Sequence, residues 1–227
     1  MIKPIMAWLR SSGPTWQYNR IWLDALIATL CFNVIAYVIF SRMGYTTFEI
    51  FEEDGPIEDL QSLSLAITAL LAGLAFFRTR VLARYVAVTT ACIAFVFFMR
   101  EMPICRGTTT VFCVSKTGLP IFIGLAVLVL LIATIFFELR HRGGILRAIH
   151  PRLSWPLGLI AFVLAASQAS EHFDIVTAEE SLESYGFMIL TMSAVWLFRF
   201  SRKQPVEPLK VRARAGFHKL MHPLSHP

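Results

Sequence analysis

The densest group of chemically reactive side chains lies in residues 170–183, between two strongly apolar segments. It comprises five carboxylates and one histidine, namely Glu171, His172, Asp174, Glu179, Glu180 and Glu183. Carboxylates next to hydrocarbon are costly unless they are paired, metal-bound or hydrated, and such residues commonly mark functional sites. Glutamate and histidine side chains can serve as general acid and base, or they can coordinate a divalent metal ion. The pattern therefore predicts a site with one of these two chemistries.

Helical spacing would bring several of these side chains together. Gln168 lies three and four residues before Glu171 and His172, so an amide, a carboxylate and an imidazole could share one helix face. Glu180 and Glu183 are three residues apart, and like charges at that spacing repel each other. We therefore expect a helix N-terminus, Arg100, a protonated His172, a bound cation or a shared proton beside them.

A second polar group opens another apolar segment. Glu58, Gln61, Ser64 and Thr68 fall on roughly a third of the helix circumference at 100° per residue. This polar stripe is predicted to face the interior of a helix bundle, where Ser, Thr and Gln commonly form hydrogen bonds between helices. Glu58 also has a structural interpretation, because acids in the first turn favour the positive end of a helix.

Arg100 and Glu101 end a third apolar segment. Adjacent residues point to different faces of a helix, so we expect each to bond to other elements rather than to its neighbour. Arg100 could neutralise nearby acids, bind an anionic headgroup, or extend its side chain to water. Glu101 would lie at the rim of the same site.

Composition indicates which elements position these residues. Hydrophobic residues make up 56% of the 227 and charged residues 16%, with a mean hydropathy of +0.62, as is typical of membrane proteins. Six apolar blocks are each near the roughly 17–25 residues that a membrane crossing needs. They cover residues 21–40, 57–77, 82–98, 118–137, 155–170 and 184–200. The predicted fold is all-α, a polytopic integral membrane protein with a six-helix domain over 1–203 and a basic cytoplasmic tail over 204–227.

Charge distribution predicts the orientation. With both termini in the cytoplasm, only four of the 21 Lys and Arg residues fall outside, which agrees with the positive-inside rule. On the same topology 12 of the 15 acids, and His172 alone of the six histidines, lie outside. We therefore expect a multi-pass protein of a bacterial-type inner (plasma) membrane with acidic outer loops. Its expected partners are membrane lipids, with the basic tail near anionic headgroups, and not nucleic acid.

Two of the four cysteines, Cys105 and Cys113, lie close together in the second predicted outer loop. In an oxidising compartment this arrangement predicts a disulfide, whereas a reducing setting would leave free thiols. The spacing is longer than that of zinc-binding cysteine pairs. Cys31 and Cys92 lie within apolar segments and are expected to pack as small apolar residues.

Three function classes fit these patterns. The first is a membrane-embedded hydrolase or transferase that acts on a lipid or lipid-linked substrate. The second is a cation- or proton-coupled carrier, and the third is a noncatalytic subunit or sensor that binds cations or a partner. Topology would place Glu53, Asp54 and Glu58 opposite residues 170–183 at the outer surface.

We favour the enzyme class among these three. Its expected catalytic residues are Glu58, Glu101, His172, Glu180 and Glu183. Arg100 and Gln168 are expected to bind the substrate headgroup. A divalent metal ion is one possible cofactor, with Glu58, His172, Glu180 and Glu183 as its ligands.

Overall fold

The computed structural model describes residues 20–52, 55–105, 113–173 and 176–203. These ranges form six long helices and two short ones, without a β-strand. The long helices are α1 (Ile21–Arg42), α3 (Pro56–Arg78), α4 (Val81–Arg100), α5 (Gly118–Arg140), α7 (Pro151–His172) and α8 (Val176–Lys203). The short helices are α2 (Thr47–Phe51) and α6 (Gly144–Ala148).

Each predicted apolar block lies in one of the long helices, and all six are long and apolar enough to cross a membrane. The all-α prediction is confirmed for the described residues, and the fold is compatible with an integral membrane protein. The last two helices are longer than their apolar blocks. Helix α8 in particular begins at Val176, so that it carries Glu179, Glu180 and Glu183 in its first turns.

Helix α8 lies at the centre of the bundle. It packs against α1, α3, α4 and α7, whereas α5 contacts α4 and otherwise lies at the periphery. Half of the apolar stretch of α8 is buried, against 6% of that of α5. Leu65 of α3, Ala94 of α4, and Phe187 and Leu190 of α8 form the centre of the core. The buried polar residues of α8, among them Glu183, Ser184 and Ser193, therefore face neighbouring helices.

The alternating directions of α3, α4, α7 and α8 divide the charged residues between two ends of the bundle. The start of α3, the ends of α4 and α7, and the start of α8 meet at one end, which we call the acidic end. The end of α3, the start of α4 and the end of α5 meet at the other, which we call the basic end.

Two local features fix the start of α3 at the acidic end. Thr46 and Glu49 form a capping box at the start of α2, with reciprocal bonds between each side chain and the other's backbone N–H. Gly55 is the N-cap of α3, and a Cβ there would lie 2.5 Å from the backbone oxygen of Glu52. A larger residue at Gly55 would therefore displace the backbone at the start of α3 and, with it, Glu58 and Gln61.

A disulfide joins Cys105 and Cys113 in the connection between α4 and α5, as predicted. Backbone bonds flank it, from Cys105 N to Val114 O at 3.0 Å and from Val114 N to Pro103 O at 2.9 Å. Cys31 in α1 and Cys92 in α4 are free thiols within apolar helices. The disulfide therefore closes a loop that begins just after Glu101.

Candidate functional site

Glu183 is the buried acceptor at the meeting point of three helices. One of its carboxylate oxygens accepts a hydrogen bond from Arg100 Nη2 at 2.7 Å and another from Ser167 Oγ at 3.1 Å. The Glu183 side chain is 5% exposed, whereas that of Arg100 is 46% exposed. The expectation that Arg100 neutralises a nearby acid is confirmed, and its exposed part faces away from the core.

Glu101 lies beside the same arginine. Its Oε1 is 3.2 Å from Arg100 Nε, and its side chain is 6% exposed. The prediction that these neighbours would bond only to other elements is therefore wrong. The arginine side chain is long enough to contact Glu101 through Nε while Nη2 reaches Glu183. Ser62 Oγ of α3 donates to the backbone oxygen of Glu101 at 3.2 Å, which fixes the end of α4 against α3.

Gln61 connects α3 to the start of α8. Its Nε2 donates to Ser184 Oγ at 2.9 Å, to Glu180 Oε2 at 3.1 Å and to the backbone oxygen of Glu180 at 3.3 Å. Gln61 is 1% exposed, and its Oε1 accepts no hydrogen bond within the described part of the chain. The amide thus orients Glu180 and leaves a buried acceptor that could receive a donor from a bound molecule.

The polar stripe continues from Gln61 toward the middle of the bundle. Thr68 Oγ1 lies 2.8 Å from Thr191 Oγ1, and Ser64 Oγ lies 3.5 Å from the same atom. Thr68 is fully buried. The prediction that this stripe faces the bundle interior and bonds to another helix is confirmed, and α8 is that helix.

The electrostatics of Glu101 distinguish it from an ordinary surface acid. Burial raises the pKa of Glu101, the adjacent Arg100 lowers it, and the nearby carboxylates of Glu183, Glu58 and Glu180 raise it, which together bring it from 4.5 to about 8. The raised pKa favours the neutral, protonated form of Glu101 near neutral pH. We call Glu58, Glu101, Glu180 and Glu183 the carboxylate cluster.

No family model, curated protein or solved structure matches this chain.

Two predicted site residues are exposed and form no side-chain hydrogen bond to the carboxylate cluster within the described residues. His172 is exposed at the end of α7, and its ring contacts Phe173 with centroids 5.7 Å apart. Gln168 is also exposed and forms no hydrogen bond within the described ranges. Their expected roles in catalysis and headgroup binding stay predictions.

Several other expectations fall on positions outside the described residues. These are Glu53, Asp54, Asp174 and the tail over 204–227, together with the side chain of Glu171. Their part in the acidic site and at the membrane surface stays a prediction.

The predicted metal ligands are not brought together as a set. Among the described residues, no three His, Cys, Asp or Glu side chains form a group that could hold a metal ion. Glu58 and Glu180 lie close enough to Glu101 to act on its charge, but His172 contacts Phe173. Metal binding by Glu58, His172, Glu180 and Glu183 stays a prediction.

Sequence reasoning did not assign Ser62, Ser167 and Ser184 to the site, and it placed Gln61 only in the polar stripe. Each is a small or uncharged polar residue within an apolar helix, a type that commonly bonds across helix interfaces in membranes. Ser184 is adjacent to Glu183, and Gln61 follows Glu58 by three residues. That proximity in sequence was the signal that could have assigned Ser184 and Gln61 to the site. Ser167 and Ser62 could be assigned only once the packing of α7 against α8 and of α3 against α4 was known.

Proposed function

We propose that this chain is an integral membrane enzyme, a hydrolase or transferase whose carboxylate cluster acts on a lipid or lipid-linked substrate. The observation that carries the proposal is a buried Glu101, with its pKa raised to about 8, in contact with a partly exposed Arg100. Glu183 and Glu180, both on α8, lie within the same site. Two neighbouring carboxyl groups, one acting as acid and the other as base, are a common catalytic arrangement.

The roles follow from exposure and contacts. Arg100 would bind an anionic group of the substrate with its exposed N–H groups, because Glu183 already orients the guanidinium through Nη2. Glu180 is half-buried and held by Gln61, so it would accept a proton from the attacking water or alcohol. Glu101 would donate its proton to the leaving oxygen as the scissile bond breaks. The base then returns a proton to Glu101 through solvent.

The bundle has two possible orientations in a membrane. We place the acidic end outside and both termini in the cytoplasm of a bacterial-type inner membrane, supported by the four outer basic residues among 21. Reporter fusions after Lys203 and within the loop 106–112 test this assignment. A reporter that fluoresces only in the cytoplasm should be fluorescent in the fusion after Lys203 and dark in the fusion within 106–112. The opposite result would show that the acidic end faces the cytoplasm.

Lipid turnover tests the enzymatic assignment. Purified wild-type protein and the Glu180→Gln variant are reconstituted separately in liposomes made from a bacterial total lipid extract, and the lipids are compared by mass spectrometry over time. We expect wild-type protein to convert at least one lipid species and Glu180→Gln to slow that conversion by about 100-fold or more. Identical lipid profiles for wild-type and protein-free liposomes would contradict the proposal.

A His172→Ala variant in the same assay separates the two groups of predicted residues. Because His172 is exposed and makes no side-chain hydrogen bond to Glu180 or Glu183 among the described residues, activity close to wild type would limit the catalytic set to the carboxylate cluster. Loss of activity in a folded His172→Ala variant would show that His172 belongs to the catalytic set.

Proton-coupled transport is the second candidate, and the polar stripe favours it. Ser64, Thr68 and Thr191 extend the polar contacts from Gln61 toward the middle of the bundle, which an enzyme at the surface would not need. Proteoliposomes that contain a pH-sensitive dye test this function. The carrier would be favoured if wild-type protein takes up protons when a membrane potential is applied, if Glu101→Gln does not, and if no lipid is converted.

A further inference from the structure

A groove at the basic end is separate from the carboxylate cluster and has a different chemistry. It lies between the end of α3, the first turns of α4 and the last turns of α5, with a volume of about 800 Å³. This volume is within the range of roughly 300–1,000 Å³ that is typical of ligand sites in proteins. The groove is thus large enough for part of an amphipathic molecule.

The inner part of the groove is apolar. It is lined by Val88 of α4 and by Val129, Ile132 and Ala133 of α5. Nearer the basic end, the rings of Tyr85 and Phe137 stack with centroids 4.5 Å apart and planes 4° apart. A hydrocarbon chain is the favoured ligand for such a groove, because its binding removes the apolar surfaces of both chain and groove from water.

The mouth of the groove is cationic. Its lining includes Arg80 and Arg84 at the start of α4 and Arg140 and His141 at the end of α5. The guanidinium of Arg84 lies 5.5 Å from the centre of the Phe76 ring, and its Nε donates to Thr79 O at 3.0 Å. These contacts hold the charge at the junction between the basic end and the apolar wall.

The acid nearest to the mouth in sequence is bonded to the backbone of the following turn. Glu138, the nearest acid in sequence, accepts hydrogen bonds from the backbone N–H groups of Gly143 and Ile145 at 2.7 and 3.0 Å. Its charge is therefore engaged in holding the α5–α6 turn.

We propose that this groove binds one anionic phospholipid, with the phosphate at Arg80, Arg84 and Arg140 and an acyl chain along the apolar wall between α4 and α5. Charge complementarity selects the anionic headgroup, and the exposed apolar surface of α5 selects a lipid over a water-soluble anion. The inference goes beyond the proposed enzymatic function, because this site lies at the opposite end of the bundle from the carboxylate cluster.

Native mass spectrometry of the full-length protein in detergent tests the inference, with phosphatidylglycerol and phosphatidylcholine as probes. We expect one tightly retained phosphatidylglycerol, bound about tenfold more strongly than phosphatidylcholine. Replacing both Arg80 and Arg140 with Gln should reduce phosphatidylglycerol binding about tenfold or more. The matched control replaces Arg142 and Arg147 with Gln, because both are exposed arginines at the same end that do not line the groove.

A second variant tests the apolar wall without changing charge. Ala133→Phe would fill the groove and should remove the retained phosphatidylglycerol, whereas Ala161→Phe, at an exposed position on α7, should not. This pair decides the question if the double arginine variant fails to fold. Equal binding of the two lipids, equal losses in the two arginine variants, or wild-type binding by folded Ala133→Phe would overturn the proposal.

Discussion

Arg100 and Glu183 are joined by a 2.7 Å hydrogen bond between residues 83 positions apart in sequence. The bond links the last turn of α4 to the second turn of α8, the helix at the centre of the bundle. Because Glu183 is buried and Arg100 is partly exposed, the pair connects the interior of the acidic end to its surface. This ion pair is the structural centre of the proposed site.

Replacing Arg100 with Gln should destabilise the protein by about 2 kcal/mol, because Glu183 would keep a buried charge without its main partner. The double variant Arg100→Gln/Glu183→Gln should recover part of this loss, since the uncompensated charge is then removed. Unfolding in mixed micelles at increasing denaturing detergent measures both effects.

Arg42→Gln is the matched control for the Arg100 substitution, because Arg42 is an exposed arginine in the last turn of α1. It should change stability by less than about 0.5 kcal/mol. Equal losses in the two single variants would show that the Arg100–Glu183 bond has no special role.

Glu101 should make stability fall as the pH rises. Its folded-state pKa of about 8 is above the ordinary value of 4.5, so between these two values the unfolded chain loses its proton while the folded protein keeps it. The unfolded state then binds fewer protons, and the free energy of unfolding decreases over this window. Glu101→Gln, which keeps the shape without the titrating proton, should flatten the dependence.

Thermal unfolding midpoints of wild type and Glu101→Gln across this pH range measure the effect. The two proteins should be similar at about pH 4, and the variant should be the more stable at about pH 9. Parallel curves for the two proteins would contradict a raised pKa at Glu101.

Gln61→Leu should destabilise the protein by about 2 kcal/mol, because it removes a buried amide that donates to Glu180 and Ser184. It should also lower turnover by releasing Glu180. Gln168→Leu makes the same chemical change at an exposed position and serves as the control. A larger effect at Gln168 would argue against the site described for Gln61 and would support the headgroup role predicted for Gln168.

Loss of the disulfide should weaken the connection between α4 and α5 more than the helix bundle. Replacing Cys105 and Cys113 with Ser removes a cross-link over eight residues, worth about 2–3 kcal/mol by loop entropy. Trypsin should then cleave faster after Arg106, which lies between the cysteines in sequence. Unchanged cleavage, or collapse of the whole bundle, would contradict this local role.

The six helices could be predicted from sequence because continuous apolar blocks of membrane-crossing length have few alternatives. The inward orientation of Gln61 and Thr68 could also be predicted, because helical periodicity places them on one face. The exact partners on α8 could not be predicted. The contact of Gln61 with Glu180 joins residues 119 positions apart, and it depends on how far two helices slide along each other.

His172 shows why composition alone was insufficient. It follows Ser167 by five residues, which places it about 140° around α7 from the face that meets Glu183. Ser167 is buried, and His172 is exposed. The sequence contained this phase relationship, but only the packing of α7 against α8 determines which face is the inner one. The protonation of Glu101 likewise depends on burial by neighbouring elements.

The most direct test of the account is infrared spectroscopy of the protonated carboxyl group of Glu101. A difference spectrum between wild type and Glu101→Gln at neutral pH should contain a carboxylic acid C=O band that disappears with a midpoint near pH 8, the pKa of Glu101 being about 8. This result would establish a neutral acid beside Arg100 and Glu183. Absence of the band at neutral pH, or its loss near the ordinary value of 4.5, would contradict the central claim.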